Sequence, residues 1–171
     1  FLISKKITLN HYQLAQLYMV LGGIPFYWDA IEKGLSVPQN IDKLCFDSNG
    51  ILLNEFDNLF KSLFDKAEKH EMIIKALAKK AKGLTREEIT DESGLPTGGH
   101  LTLLLDELEE SGFIRRYVPF GKKARNTLYQ LSDFFSLFHL KYINGPKSFG
   151  KNYWLKMIDN PKHRAWSGYA F

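Results

Sequence analysis

The chain has a single cysteine, Cys45, in 171 residues. It therefore has no internal disulfide to staple it, and with no second thiol and no cluster of histidines it has no common zinc site. Cys45 itself reads as a small apolar residue on a buried helix face. No apolar run approaches the roughly 18 to 20 residues that a membrane span needs. The start, Phe1-Leu2-Ile3-Ser4-Lys5-Lys6, lacks the charged-then-apolar order of a signal peptide, so a cytoplasmic protein is expected. Acid is nearly missing from one third of the chain. Residues 113–171 carry 11 Lys+Arg against 2 Asp+Glu, whereas residues 1–70 carry 7 against 8 and residues 71–112 carry 5 against 9. A polyanion is expected to meet the basic third, because clustered charge attracts counter-ions where net charge alone does not.

Several chemical motifs are missing too. No Gly-x-x-x-x-Gly-Lys-Ser/Thr phosphate loop occurs, and Gly121-Lys122-Lys123 lacks the hydroxyl residue and the upstream strand that motif requires. There is no His-Glu-x-x-His and no glycine-flanked nucleophilic serine, and Glu87-Glu88 and Glu109-Glu110 read as solvated helix faces. His70 and His139 read as structural rather than as metal ligands. No catalytic residue, no metal site and no turnover are expected from these residues by themselves.

What is present is helical periodicity broken by clear stops. Leu14, Leu17, Tyr18 and Leu21 mark one face of a helix over 10–21 that ends at Gly22-Gly23. Pro25 suits the first turn of a short helix through Phe26 to Lys33, stopped by Gly34. Ser36 caps a third helix with Pro38 in its first turn, running to about Phe46. Asp47-Ser48-Asn49-Gly50 is a turn, and Leu52, Phe56, Leu59, Phe60, Leu63 and Phe64 give an amphipathic helix over 51–64.

The stretch that follows has a distinct layout. A helix over 68–82 puts Ile73, Ile74, Leu77 and Ala78 on one face. Thr85 caps a short helix, with Glu88 completing the capping-box spacing. Ser93-Gly94-Leu95-Pro96 is a tight turn, and Thr97 opens a longer helix with Leu101, Leu104, Leu105 and Leu108 inward, closing at Ser111-Gly112. Two helices joined by a short glycine-containing turn, the second longer, form a helix-turn-helix. Strands over 113–118 and 127–131 around a loop over 119–126 make a hairpin beside it, the wing of a winged helix. Ser132-Asp133 caps a further helix through Phe134 to Ile143, with Phe135, Phe138 and Tyr142 on one side. A linker runs from Asn144-Gly145-Pro146 to about Asn152, and short helices follow over 153–158 and 161–171. The expected fold class is thus mainly α, a helical bundle followed by a winged helix-turn-helix with one β-hairpin. The expected division is 1–66, 67–143 and 144–171.

Double-stranded DNA is the partner this layout points to. Arg115, Arg116, Lys122, Lys123 and Arg125 sit on or beside the wing, where each neutralised phosphate releases counter-ions. On the longer helix only the N-terminal residues Thr97, Gly98, Gly99, His100 and Thr102 suit a groove, since Asp106, Glu107, Glu109 and Glu110 repel phosphate. The helix N-terminus carries partial positive charge, and no Arg, Asn or Gln stands on it for bidentate base reading. The alternative is a winged helix used as a protein-docking module.

The run Tyr18-Met19-Val20-Leu21-Gly22-Gly23-Ile24-Pro25-Phe26-Tyr27 resembles the archaeal-type P-loop ATPase family of prokaryotes. These proteins have an AAA-like core, a helical lid, a winged helix and a C-terminal domain similar to restriction-type nucleases. Gly22-Gly23-Ile24-Pro25 matches the lid motif, and Ala76-Leu77-Ala78 through Leu84-Thr85-Arg86-Glu87-Glu88-Ile89 matches the winged helix. Trp166-Ser167-Gly168-Tyr169-Ala170-Phe171 matches the opening of the last domain. The resemblance implies that residues 1–66 are the lid bundle, 67–143 the winged helix, and 144–171 a linker with the start of the nuclease-like domain. It also implies an ATP- and magnesium-dependent full-length protein whose phosphate loop precedes residue 1, so that the missing ATPase core and C-terminal domain are partners in the same chain. The lid's nucleotide-facing positions fall on Gly23 and Pro25, with Tyr27 nearby. The same four residues also read simply as one helix ending and the next beginning.

Overall fold

The computed structural model describes residues 2, 4–145, 149–158 and 160–168. In chain order its helices are α1 (His11–Leu21), α2 (Pro25–Asp29), α3 (Val37–Ile41), α4 (Glu55–Leu63), α5 (Ala67–Leu77), α6 (Arg86–Ser93), α7 (Gly99–Glu110), α8 (Phe134–Phe138) and α9 (Pro161–Ser167). Strands β1 (Ile114–Tyr117) and β2 (Leu128–Leu131) form one antiparallel two-stranded sheet, so the chain is mainly helical. Contacts divide it into two units, Phe1–Phe56 with Tyr142–Phe171, and Asp57–Lys141. The expected boundaries were 66/67 and 143/144; the units part instead at 56/57 and 141/142, and the segment after 142 groups with 1–56. No helix of the described residues is long and apolar enough to cross a membrane.

In the discontinuous unit, Asn10 and Gln13 cap α1 reciprocally, each side-chain oxygen accepting the other's backbone N–H at 2.9 Å. Leu17, Met19, Val20 and Leu21 are buried, while Tyr18, expected on the inner face, is 48% exposed. The helix stops at Gly22, whose φ of 60 and ψ of −153 are close to glycine-only. Helix α2 ends at Asp29 rather than Lys33. The reason lies downstream, in buried Asn40. Its amide oxygen accepts from Glu32 N–H at 2.8 Å, and its amide nitrogen donates to the carbonyls of Glu32, Leu35 and Ser36 at 3.2 to 3.3 Å. A side chain thus satisfies backbone groups that a helix would otherwise have paired. Ser36 caps α3 with Gln39 in a second capping box.

Past Ile41 the helix widens over Asp42–Phe46, closed by a bond from Asp47 N–H to the Asp42 carbonyl five residues back, at 2.9 Å. The Asp42 carboxylate, on a residue only 9% exposed, accepts the backbone N–H groups of Trp154 at 2.6 Å and Leu155 at 2.9 Å. Rings close around that clamp: Phe46 stacks on Trp154 with centroids 5.9 Å apart, and Tyr142 meets Trp154 and Trp166 edge-on at 5.2 and 5.6 Å. Cys45 is buried as expected, and burial pushes its thiol well above the ordinary range, with Asp42 adding to the effect. The expected helix over 153–158 is a single tight turn, Leu155–Met157. Asn160 caps α9 through Lys162 N–H at 2.9 Å. Residues 146–148 of the expected linker, and Tyr169, Ala170 and Phe171 of the expected terminal motif, lie outside the described residues.

The second unit has a core of aliphatic residues with Phe60, Phe113, Phe135 and Phe138 buried among them. Ile73, Ile74 and Leu77 of α5, Ile89 of α6, Leu101, Leu104, Leu105 and Leu108 of α7, and Ile114 of β1 are each at most 3% exposed. Full burial of each such side chain stabilises by about 1.5–3 kcal/mol relative to exposure. His70 is tucked under Phe64 with ring centroids 3.9 Å apart, and its Nε2 lies 2.7 Å from Glu107 Oε2, tying α5 to α7. Helix α4 starts at Glu55 rather than Ile51, because residues 50–53 are held in a turn by Leu52 N–H to the Leu44 carbonyl and Leu53 N–H to the Gly50 carbonyl. Leu63, expected inward, is 52% exposed.

Helix α5 ends at Leu77, not Lys82. The chain beyond it is drawn onto the hairpin: Tyr117 Oη donates to the Lys82 carbonyl at 2.7 Å and Gln130 Nε2 to the Ala81 carbonyl at 2.6 Å. Leu84 then pairs with Tyr129 of β2 through both backbone bonds, at 2.9 and 2.8 Å. Gly83, with φ +87, makes this approach possible, since a Cβ there would lie 2.4 Å from the Tyr129 carbonyl oxygen. Thr85 and Glu88 form the expected capping box at α6. The hydrogen bond from Lys80 is the chief cause that holds the Glu88 carboxyl below its usual range, followed by Thr85 N–H. Helix α7 begins at Gly99, two residues later than expected, because Gly98 takes φ +142 and the chain turns into the helix only after it. Strands β1 and β2 pair in the register Ile114 to Leu131 through Tyr117 to Leu128. Asp133 caps α8 through Ser136 N–H at 2.7 Å; the helix expected to run to Ile143 widens after Phe138 over His139–Ile143.

Candidate functional site

The hairpin sorts its cations by face. Period-two alternation puts Arg115 and Arg116 on opposite sides of β1. Arg115 Nε donates to Oε1 of its cross-strand partner Gln130 at 2.8 Å. Arg116 reaches back to α7, 2.6 Å from Glu109 and 3.1 Å from Asp106. Its charge is therefore matched within the unit. Lys122, Lys123 and Arg125 lie in the exposed loop between the strands, and none takes part in an ion pair among the described residues. Two turns order that loop: Lys122 N–H bonds the Pro119 carbonyl at 3.0 Å, and Asn126 N–H the Lys123 carbonyl at 2.8 Å.

At the start of α7, Thr97, Gly98, Gly99, His100 and Thr102 are all exposed. Gly98 supplies no side-chain cap. Arg86, the first residue of α6, fills the space, its Nη2 donating to the Gly98 carbonyl at 2.6 Å and to Thr102 Oγ1 at 2.8 Å. His100 Nε2 lies 3.0 Å from Lys69 Nζ. An open groove collects Arg86, Thr97 and Arg125, and is lined as well by the acidic Glu87 and Asp91. The fold thus brings two expected residues, Thr97 and Arg125, into one place and takes Arg116 away from it. It also adds Arg86, which the sequence reading passed over. The signal for Arg86 lies in the capping box, because a residue directly after the cap is the first of its helix.

The glycine-proline motif stands differently. Gly23 and Pro25 are exposed, and a Cβ built on Gly23 meets no protein atom within 4 Å. Tyr27 is 1% exposed and gives its hydroxyl hydrogen to Glu55 Oε1 at 3.0 Å. The strained glycine is the neighbour, Gly22, whose carbonyl accepts Trp28 Nε1–H at 2.8 Å. Among the described residues no group of three His, Cys, Asp or Glu side chains is placed to hold a metal ion. Buried His139 has its imidazole pushed down to about 4, chiefly by burial.

Comparison with protein-family models, with curated proteins and with solved structures gives no match to this chain.

Proposed function

We propose that residues 67–143 are a winged helix-turn-helix that binds double-stranded DNA through its basic wing. In this reading α6 and α7 are the helix-turn-helix, β1 and β2 the wing, and the Leu84–Tyr129 bridge a third, one-residue strand. The observation that carries it is the loop with Lys122, Lys123 and Arg125 unpaired beside a groove holding Arg86 and Thr97. Cations with no partner of their own are available to phosphate, while Arg116 is not. Contacts from a loop and a helix start position a duplex without reading its bases. The family resemblance extends the reading: the chain is the regulatory C-terminal part of a cytoplasmic AAA-like ATPase, with residues 1–66 as its lid. ATP and magnesium then belong to the core, not to these residues.

Fluorescence anisotropy with a labelled duplex tests the DNA reading. Binding is expected to fall steeply with salt, and Lys122→Ala with Lys123→Ala together should flatten the slope of log K against log salt by about 2, near one unit per released phosphate contact. No binding at low salt overturns it. A second reading, a protein-interaction module relaying nucleotide state to the C-terminal domain, is favoured by one observation. The outer face of α7 joins 54% exposed Leu103 to the exposed acidic Glu110 two turns on, a surface that repels phosphate.

A further inference from the structure

The most exposed large hydrophobic side chain among the described residues is Phe120, at 107% of its reference accessibility, with Val118 beside it at 45%. Phenylalanine is normally among the most buried residue types, so one held wholly in solvent asks for a reason. Its position is not that of a loose loop. The bond from Lys122 N–H to the Pro119 carbonyl at 3.0 Å closes a four-residue turn, and Gly121 takes φ +74 at its third position. That is the signature of a type II turn, which projects its second residue, here Phe120, off the apex. The surroundings are cationic: Lys122, Lys123 and Arg125 follow within five residues, and no Asp or Glu occurs between Glu110 and Asp133.

We infer that Phe120 is a base-stacking residue, taking an unpaired base on its ring while Lys122, Lys123 and Arg125 hold the phosphates on either side; this rests on the nucleic-acid reading above and narrows it to DNA with an unpaired segment, such as a fork or a bulge. A flat ring beside phosphate-seeking cations matches the combination by which proteins hold single strands, since every base offers a π-face and every linkage a negative charge. A bilayer surface would need a broader apolar face than Phe120 and Val118 provide. A uniform duplex leaves the ring without a base to cover, so it binds through the cations alone.

The test uses the whole chain and two labelled DNAs, a blunt duplex and the same duplex with a single-stranded fork. Wild type is expected to favour the fork. Phe120→Ala should lose about tenfold or more of the fork affinity, the usual effect of removing one stacking contact, and stay within twofold on the blunt duplex. Phe120→Trp should restore fork binding and Phe120→Leu should not. A 2-aminopurine base placed in the fork should be quenched by wild type and not by Phe120→Ala. Since the side chain touches nothing in its own unit, the melting temperature of Phe120→Ala should match wild type, so a loss of binding is not a loss of fold. If Phe120→Ala or Phe120→Leu binds the fork as wild type does, stacking is overturned while the cationic wing stands. If wild type binds neither DNA, both readings fall. If Phe120→Ala keeps fork binding and loses binding to phosphatidylserine vesicles, the tip is a lipid anchor and the inference is wrong.

Discussion

The two units of this chain reach stability by different routes. The 57–141 unit closes over a dispersed apolar core, aliphatic and aromatic, in which α5 packs on α6, α7 and β2. The other unit is assembled from 1–56 and 142–171, and its centre is a carboxylate and a set of rings. Asp42 bonds backbone groups 112 and 113 residues away, and Phe46, Tyr142, Trp154 and Trp166 pack around the junction. A core of many apolar contacts spreads its stability, so no single atom is decisive. A polar clamp concentrates it. The tryptophans report the distinction directly, since Trp28, Trp154 and Trp166 all belong to the discontinuous unit.

The largest effect should follow from Asp42→Ala. Two backbone N–H groups lose a charged acceptor in a buried place, at a cost of about 4 kcal/mol; Asp42→Asn, which keeps one acceptor oxygen, should cost about half. Urea unfolding followed by tryptophan emission measures this. If helical circular dichroism of the 57–141 unit falls at the same lower urea concentration, the units are not independent and the contrast is broken.

Acid should act on the other unit. The folded His139 imidazole titrates near 4, below its ordinary 6.5, so between those values the unfolded chain binds more protons. Stability present above pH 6.5 should be lost as pH falls through that window, by about 3 kcal/mol in full. Asp133, raised above 3.8 mainly by burial, has the opposite sign and favours the folded state at the acid end. His139→Phe should flatten the dependence of the unfolding free energy on pH between 6.5 and 4; an unchanged slope refutes the assignment.

Gly83→Ala should cost about 2–3 kcal/mol, from the strained φ and from pushing Tyr129 away. Hydrogen exchange at the Leu84 and Tyr129 amides should then rise while the α7 amides stay protected. The smallest effect separates two adjacent glycines. Gly22→Ala should cost about 1–2 kcal/mol and Gly23→Ala under about 0.5, because only Gly22 lies in a glycine-only conformation. Equal melting temperatures for the two variants would contradict this.

What is legible in the sequence and what is not divide between local and distant. The caps at Thr85 and Asp133, the inward leucines of α7 and the hairpin were legible, because each depends on residues a few positions apart. Helix ends were misread where a distant group takes over the backbone: α2 stops for Asn40, and α5 for Gln130 and Tyr117. By type Thr97 is a good cap and predicts a start of α7 two residues early; the turn at Gly98 is a conformation only glycine makes easy. The cations of the hairpin and its loop are legible by charge alone, but nothing local says that Arg116 is neutralised by α7 or that Arg86 lies over Gly98.

The Asp42 clamp also sets an order of events during synthesis. Trp154 leaves the ribosome after the whole of 57–141, so α1 to α3 emerge first and still lack the rings that cover them. Closing so long a loop is not itself prohibitive, since each doubling of its length adds only about 0.6 kcal/mol. The exposed interval is the hazard: the apolar faces of the first three helices wait in the cell for a segment that arrives about a hundred residues later, which makes them the natural client surface for a chaperone.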